Sequence, residues 1–340
     1  MTLLKDTDTF QIVLSCFLIP IIIVSNILII AAPLYCRRLR TPDNILMINL
    51  AVADLITGTV SMPINTLERI DDSLSVLMKE SKEKCFIYHG LKKVPMALSL
   101  ITLVMMCLDR YFAVKYPMKY VIKWSNNISI ASILFIWVFV ATIYGSGYSG
   151  FQYNSTIPMV KERCWYSENF TIWWQILNLV IISVSILTGG LTTCYLIVHT
   201  KGIQIRTKRQ PIGLIHQEHK QGVKTNVYLL LIFTMLWLPA VVFGFISKSR
   251  EDDEDLKTIT YLISYQTTCI NAAVNAAVYA FCRTRNRQAY RFMLRTPPWR
   301  WDQLEREMNK LEFRSSVGFS SSMSHSQRHT RVFNSPLSSI

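Results

Sequence analysis

Asn49-Leu-Ala-Val-Ala-Asp54 lies in the middle of an apolar run over residues 43–66, and its aspartate decides how the rest of the chain is read. A run of that length is what a helix rising 1.5 Å per residue needs to cross the roughly 30 Å hydrocarbon core of a bilayer. A charge at that depth costs about 2.5 to 3.5 kcal/mol on insertion scales, so it is kept for a reason. Either Asp54 is a structural carboxylate bonded to neighbouring helices, or it belongs to a functional site. Working outward, six further runs have a similar length: 10–34, 85–112, 127–147, 171–198, 224–246 and 257–281. They are spans one to seven in chain order, with 43–66 as span two.

Composition agrees. Hydrophobic residues make up 51% of the 340 and charged residues 17%, against roughly 25% charged in an ordinary soluble domain. That is too few charges to cover a soluble surface. The net charge of +14 would suit nucleic acid if Lys and Arg gathered on folded faces. Most of them sit instead between apolar runs, so no nucleic-acid partner is expected. Span one is too long for a signal-peptide core of about 7 to 15 residues. Ala31-Ala32 lacks the cleavage spacing, and Arg37, Arg38 and Arg40 come after it as a basic stop.

Orientation is set by the basic residues between spans. The N-terminus and the second, fourth and sixth connections hold nine Lys and Arg, while the other connections and the tail hold 22, eleven of them in the tail. The acceptor sequences Asn154-Ser-Thr and Asn169-Phe-Thr both fall in the fourth connection, where glycosylation requires the outer side. A third match at Asn127 lies on the opposite side and is read as chance. The N-terminus is therefore expected outside and the tail inside. Six of the eight cysteines lie within spans or at their inner edges. The other two, Cys85 and Cys164, face the oxidising side and form the obvious disulfide, which would order the long outer loop as a lid.

Other polar residues share the interior with Asp54. Asn271 and Asn275 are one turn apart on span seven and, with Ser99 on span three, offer the oxygens that a hard monovalent cation prefers. Asp109-Arg110-Tyr111 closes span three on the inner side. It reads either as a basic helix end anchored at the headgroups or as an arginine latched by its acidic neighbour in one of two states.

Taken together, these residues resemble the rhodopsin-like G-protein-coupled receptors, with one landmark in almost every span. They are Asn26, Leu50-Ala-Val-Ala-Asp54, Cys85 with Leu108-Asp-Arg-Tyr111, Trp137, Tyr195, Phe233 with Trp237-Leu-Pro239, and Asn275-Ala-Ala-Val-Tyr279. The resemblance implies an all-α seven-transmembrane bundle over residues 10–282, after an outer N-terminus at 1–9. A short amphipathic helix at 283–296 and a serine-rich cytoplasmic tail at 297–340 would come next. It implies a sodium pocket at Asp54, Ser99, Asn271 and Asn275. Trp237 matches the position beneath the ligand cavity, and Pro239 would bend span six by removing a backbone hydrogen bond. Arg110, Tyr195 and Tyr279 match the residues that rearrange when span six swings out to admit a heterotrimeric G protein.

The departures matter equally. Ala276 replaces the usual proline after Asn275, Leu236 replaces the cysteine before Trp237, and span five has no proline. The acid expected near the base of span six is His219, beside Glu218, which predicts a weak latch on Arg110 and some ligand-independent signalling. Amine receptors of this family carry an aspartate seven residues after the span-three cysteine, where this chain has Lys92, with Lys93 next to it. A monoamine is therefore not expected. The two lysines either extend outward to the interface or anchor an anionic ligand, small molecule or lipid, with His89 one turn above Lys93. Cys269 stands where a visual pigment would carry its retinal lysine.

On the inner side, residues 283–295 interleave arginines with aromatic and apolar positions, the pattern of a helix lying on anionic membrane lipids. Serines 320, 321, 322, 324 and 326 are expected kinase targets that would recruit arrestin. A transporter would show internal repeats and paired interrupted spans. A zinc protease would show His-Glu-x-x-His. Neither pattern is present, and a plasma-membrane receptor without cofactor, other than a sodium ion, is the expected function.

Overall fold

The computed structural model describes residues 2–116, 119–120, 126–153, 155–156, 164 and 254–311, and scattered positions between 180 and 198 and between 225 and 246. The described parts of all seven spans are helical. Span one runs Thr2–Tyr35, span three Lys82–Lys115, span four Asn126–Ser146 and span seven Glu254–Cys282. Among the described residues, four spans, one to four, are long and apolar enough to cross a membrane on hydropathy alone. Span seven is more polar because it carries the interior asparagines. Residues 2–9, expected as an outer segment, continue the helix of span one.

Span two is built in three pieces: Pro42–Ile56, a wide turn at Thr57–Ser61, and Met62–Ile70. Thr41 starts it, its hydroxyl accepting from the Asn44 N–H with Pro42 in the first turn, a favoured opening for a helix. At the wide turn the Met62 N–H reaches back five residues to the Thr57 carbonyl, so one extra residue is accommodated there. Gly58 sits in that turn because a Cβ would lie 2.7 Å from the Ile22 side chain of span one. The helix then continues one turn beyond the expected end at residue 66.

Prolines inside the spans leave carbonyls without donors, and nearby side chains supply them. Pro95 has no N–H for the Leu91 carbonyl, which instead accepts from the Ser61 hydroxyl of span two. At the inner end of span one, Arg40 Nε donates to the Pro33 carbonyl at 2.8 Å and its Nη2 to Leu34 at 2.9 Å. A polar chain joins three spans: Trp137 Nε1 donates to Asn49 Oδ1 at 2.9 Å, and Asn49 Nδ2 to the Thr102 hydroxyl at 2.7 Å.

The main apolar core lies toward the inner half, where Leu46, Met47, Leu50, Leu103, Met106 and Tyr279 pack together. Large apolar side chains also cover the outside. Phe17 of span one is 65% exposed and Val138 of span four 65% exposed, which is stable only against lipid. After span seven comes the amphipathic helix Thr284–Arg295, burying Ala289, Tyr290 and Met293. The chain then turns at Pro298–Gln303, where Trp301 Nε1 donates to the Met293 and Thr296 carbonyls. Residues 304–311 form a further helical segment that buries Leu304 and Met308 against the inner core.

Candidate functional site

Among the described residues, polar groupings that carry ionisable side chains lie at three levels of span three. At mid-depth Asp54 is buried, and its two oxygens accept from partners on different spans. Ser99 Oγ lies 3.0 Å from Oδ1, and Asn275 Nδ2 lies 2.9 Å from Oδ2. Among the described residues no Lys, Arg or His pairs with this carboxylate. Asn271 is buried on the same helix but does not donate to Asp54; it sits one turn, about 5 Å, further along the axis. Spans two, three and seven thus meet around one acidic group.

At the inner level, Asp109 and Arg110 form a buried ion pair, with Arg110 Nε donating to Asp109 Oδ2 at 3.0 Å. Tyr120 stabilises the pair by donating its hydroxyl to Asp109 Oδ1 at 2.8 Å. Burial raises the Tyr120 phenol well above its ordinary value, despite the pull of Arg110, so it acts as a neutral donor. Two further residues, which sequence reading passed over, complete the grouping. Asp43, at the start of span two, faces Arg110 Nη2 at 3.5 Å and also pairs with Arg283, the residue after span seven. Arg283 Nη1 in turn donates to Asn44 Oδ1 at 3.2 Å. Tyr111 packs its ring on Tyr195 of span five at 4.9 Å, and the Tyr279 hydroxyl donates to Met106 Sδ at 3.4 Å.

At the outer level Lys92 does not extend to the interface. It turns toward span two, donating to Asn65 Oδ1 at 3.0 Å and to Tyr88, and lies 3.4 Å from Glu68 Oε2. Lys79 pairs with the other Glu68 oxygen at 3.2 Å, and Tyr88 donates to Glu68 as well. Asn65 and Glu68 are three residues apart and so share a face of a helix. That spacing was the available signal, missed because residue 68 lies beyond the expected end of the span. Lys93 is half-buried on the next face.

The expected outer disulfide is present, while most of the loop that it ties lies outside the described residues. Cys85 and Cys164 form a disulfide, packed against Tyr88 and Phe151. His89 Nε2 lies 3.5 Å from Cys164 Sγ, so the histidine expected near the ligand packs against this bridge. Cys85, His89 and Cys164 are close enough to suggest a metal. Both sulfurs are committed to each other, which leaves one imidazole and no thiolate to ligate. Pro239 is helical and exposed. Phe233, Trp237, Asn154, Asn169, Glu218, His219 and the tail serines lie outside the described residues.

Residues 25–279 match the description "7 transmembrane receptor (rhodopsin family)". The chain belongs to the rhodopsin family of seven-transmembrane receptors. It is 26% identical over 303 residues to the histamine H2 receptor of Canis lupus familiaris, covering 83% of this chain and 78% of that one. The allatostatin-A receptor of Bombyx mori is 25% identical over 294 residues, with 81% and 77% covered. The QRFP-like peptide receptor of Branchiostoma floridae is 24% identical over 298 residues, with 80% and 74% covered. Membership makes this rhodopsin-family chain a multi-pass membrane receptor rather than an enzyme, and implies an extracellular ligand and coupling to a G protein.

Proposed function

We propose that this receptor detects a non-amine ligand bearing an anionic group, a small molecule or a lipid, and answers by activating a heterotrimeric G protein. The observation that carries the ligand class is the basic outer mouth. Lys79 and Lys92 converge on Glu68, the acid that they share, and Lys93 follows Lys92 on the same helix. A monoamine entering there meets like charge, and an anion is attracted. The peptide receptors among its relatives favour a second reading, in which a peptide presents an acidic group to the same lysines.

Signalling is a population shift. A ligand outside and a G protein inside both bind the open arrangement better, so each raises the affinity for the other. Arg110, Tyr195, Phe233, Trp237, Pro239 and Tyr279 are the residues proposed to rearrange, with Arg110 leaving Asp109 on opening. Asp54, Ser99, Asn271 and Asn275 would hold a sodium ion. The fit rests on a buried carboxylate with no basic partner among the described residues, beside hydroxyl and carbonyl oxygens. When bound, the ion supplies the positive charge that the burial of Asp54 calls for. The chain's own groups do the rest: Ser99 and Asn275 orient the carboxylate and keep spans two, three and seven together.

The N-terminus is proposed to face outward at the plasma membrane, on the support of the basic-residue contrast and the two sequons. Phosphorylated tail serines would add the charge that arrestin recognises. The deciding measurement is ligand-free nucleotide exchange on a panel of heterotrimeric G proteins, with the receptor in lipid nanodiscs. Stimulated exchange on at least one member supports the reading, and none on any member overturns it.

A further inference from the structure

We infer that Asp43 is a positioning residue for Arg110, shared between that arginine and Arg283, and that it supplies from span two the hold that span six lacks. The inference rests on the receptor function proposed for this chain. His219 stands just before span six, where the resemblance leads one to expect an acid, so beyond Asp109 the resting position of Arg110 has to draw negative charge from elsewhere. Asp43 is placed to provide it. One carboxylate oxygen faces Arg110 Nη2 at 3.5 Å, and the other contacts Arg283 Nη2. The side chains of Asp43 and Arg110 are each 7% exposed and that of Arg283 11%.

Among the described residues, two aspartates and two arginines, Asp43, Asp109, Arg110 and Arg283, are therefore set against one another in a largely buried cluster. Removing one member leaves an uncompensated buried charge, and the sign of that charge sets the direction of the effect on signalling. Without the Asp43 carboxylate, Arg110 and Arg283 repel each other, and Arg110 is driven out of its resting place toward the G-protein side. Without the Arg283 guanidinium, that arginine no longer competes for Asp43, and the carboxylate holds Arg110 more tightly. The bridge also joins span two to the start of the cytoplasmic helix Thr284–Arg295, so movement at the end of span seven is felt at Arg110 through one carboxylate.

The two removals thus push signalling in opposite directions, whereas a merely structural role would impair both variants alike. Ligand-free nucleotide exchange per folded receptor in nanodiscs reads this directly, beside the melting temperature of each variant. Asp43→Asn is expected to raise exchange about three- to tenfold, and Arg283→Gln to lower it to about half or less, a size typical of coupling between neighbouring groups. Asp43→Glu, which keeps the charge, is expected to return close to the native rate. Both variants should melt lower than the native chain.

Changes of the same sign in the two variants, or an Asp43→Asn rate at or below native, overturn the inference while leaving the receptor function standing. If Asp43→Asn does not fold, the Arg283→Gln arm decides, and an unchanged or raised rate there overturns it. If neither the native chain nor any variant stimulates any G protein, the receptor function falls and the inference falls with it.

Discussion

The two ends of span three carry ionic groupings built on different principles. The outer one gathers Lys79 and Lys92 on Glu68, all from spans two and three and the connection between them. The inner one sets Asp43 and Asp109 against Arg110 and Arg283, and draws on the ends of spans two, three and seven. Two lysines sharing one acid attract a further anion. Among the described residues the inner grouping sets two acids against two arginines from separate elements, so each charge is held by another. The first arrangement suits a receiving surface and the second suits a latch.

The outer grouping breaks most readily at its acid. Glu68→Gln takes the shared carboxylate from two half-buried ammonium groups, and is expected to cost about 1 to 3 kcal/mol, read as a lower melting temperature in nanodiscs. Lys92→Ala, by contrast, leaves Glu68 paired with Lys79 at 3.2 Å and should fold normally. Its effect is on ligands: carboxylate agonists are expected to lose about tenfold in potency, a loss of roughly 1.4 kcal/mol. Unchanged potency would remove the anion-binding role. On the inner side, His219→Glu adds an acid just before span six, and ligand-free exchange should fall by about threefold as Arg110 gains a holder besides Asp109 and Asp43. Negligible exchange in both native and variant chains would count against ligand-independent signalling.

The smallest effect concerns the outer connection that carries Lys79. Asp71 opens the helix Asp72–Lys79, accepting from the Ser73 hydroxyl and the Ser73 N–H. These hydrogen bonds, the hydroxyl's first, hold its carboxyl below the ordinary value of 3.8. A lowered folded value means the cap stabilises the helix fully above 3.8 and loses that contribution as pH falls through the folded value. The protection of amides 72–79, taken relative to their intrinsic exchange rates, should therefore fall on acidification, and Asp71→Asn should remove most of that pH dependence.

Much of the architecture was legible in the chain itself. The run around Asp54 gave span two, and hydropathy gave spans one, three and four to within a few residues, except that span one begins eight residues earlier. Asp54 meets Ser99 and Asn275 as their positions suggested, because residues at one depth on adjacent helices have few other partners. Asn271 was grouped with them by spacing and by the resemblance; it lies a turn further along the axis and makes no hydrogen bond to the carboxylate. Glu68 and Asp43 were hidden for another reason. Both lie at helix ends, where a charge reads as solvated, and their partners are brought to them only by packing between spans. Lys92 was visible as a departure, but its engagement with span two required knowing that the helix runs on to Ile70.

That extension depends on the wide turn at Thr57–Ser61. One additional residue in a single turn advances everything beyond it by about 100° around the axis. Shortening the turn by one residue would swing Asn65 and Glu68 to a different azimuth while leaving Asp54 where it is. The outer third of span two is thus set like a dial, and its phase determines which neighbour receives the glutamate.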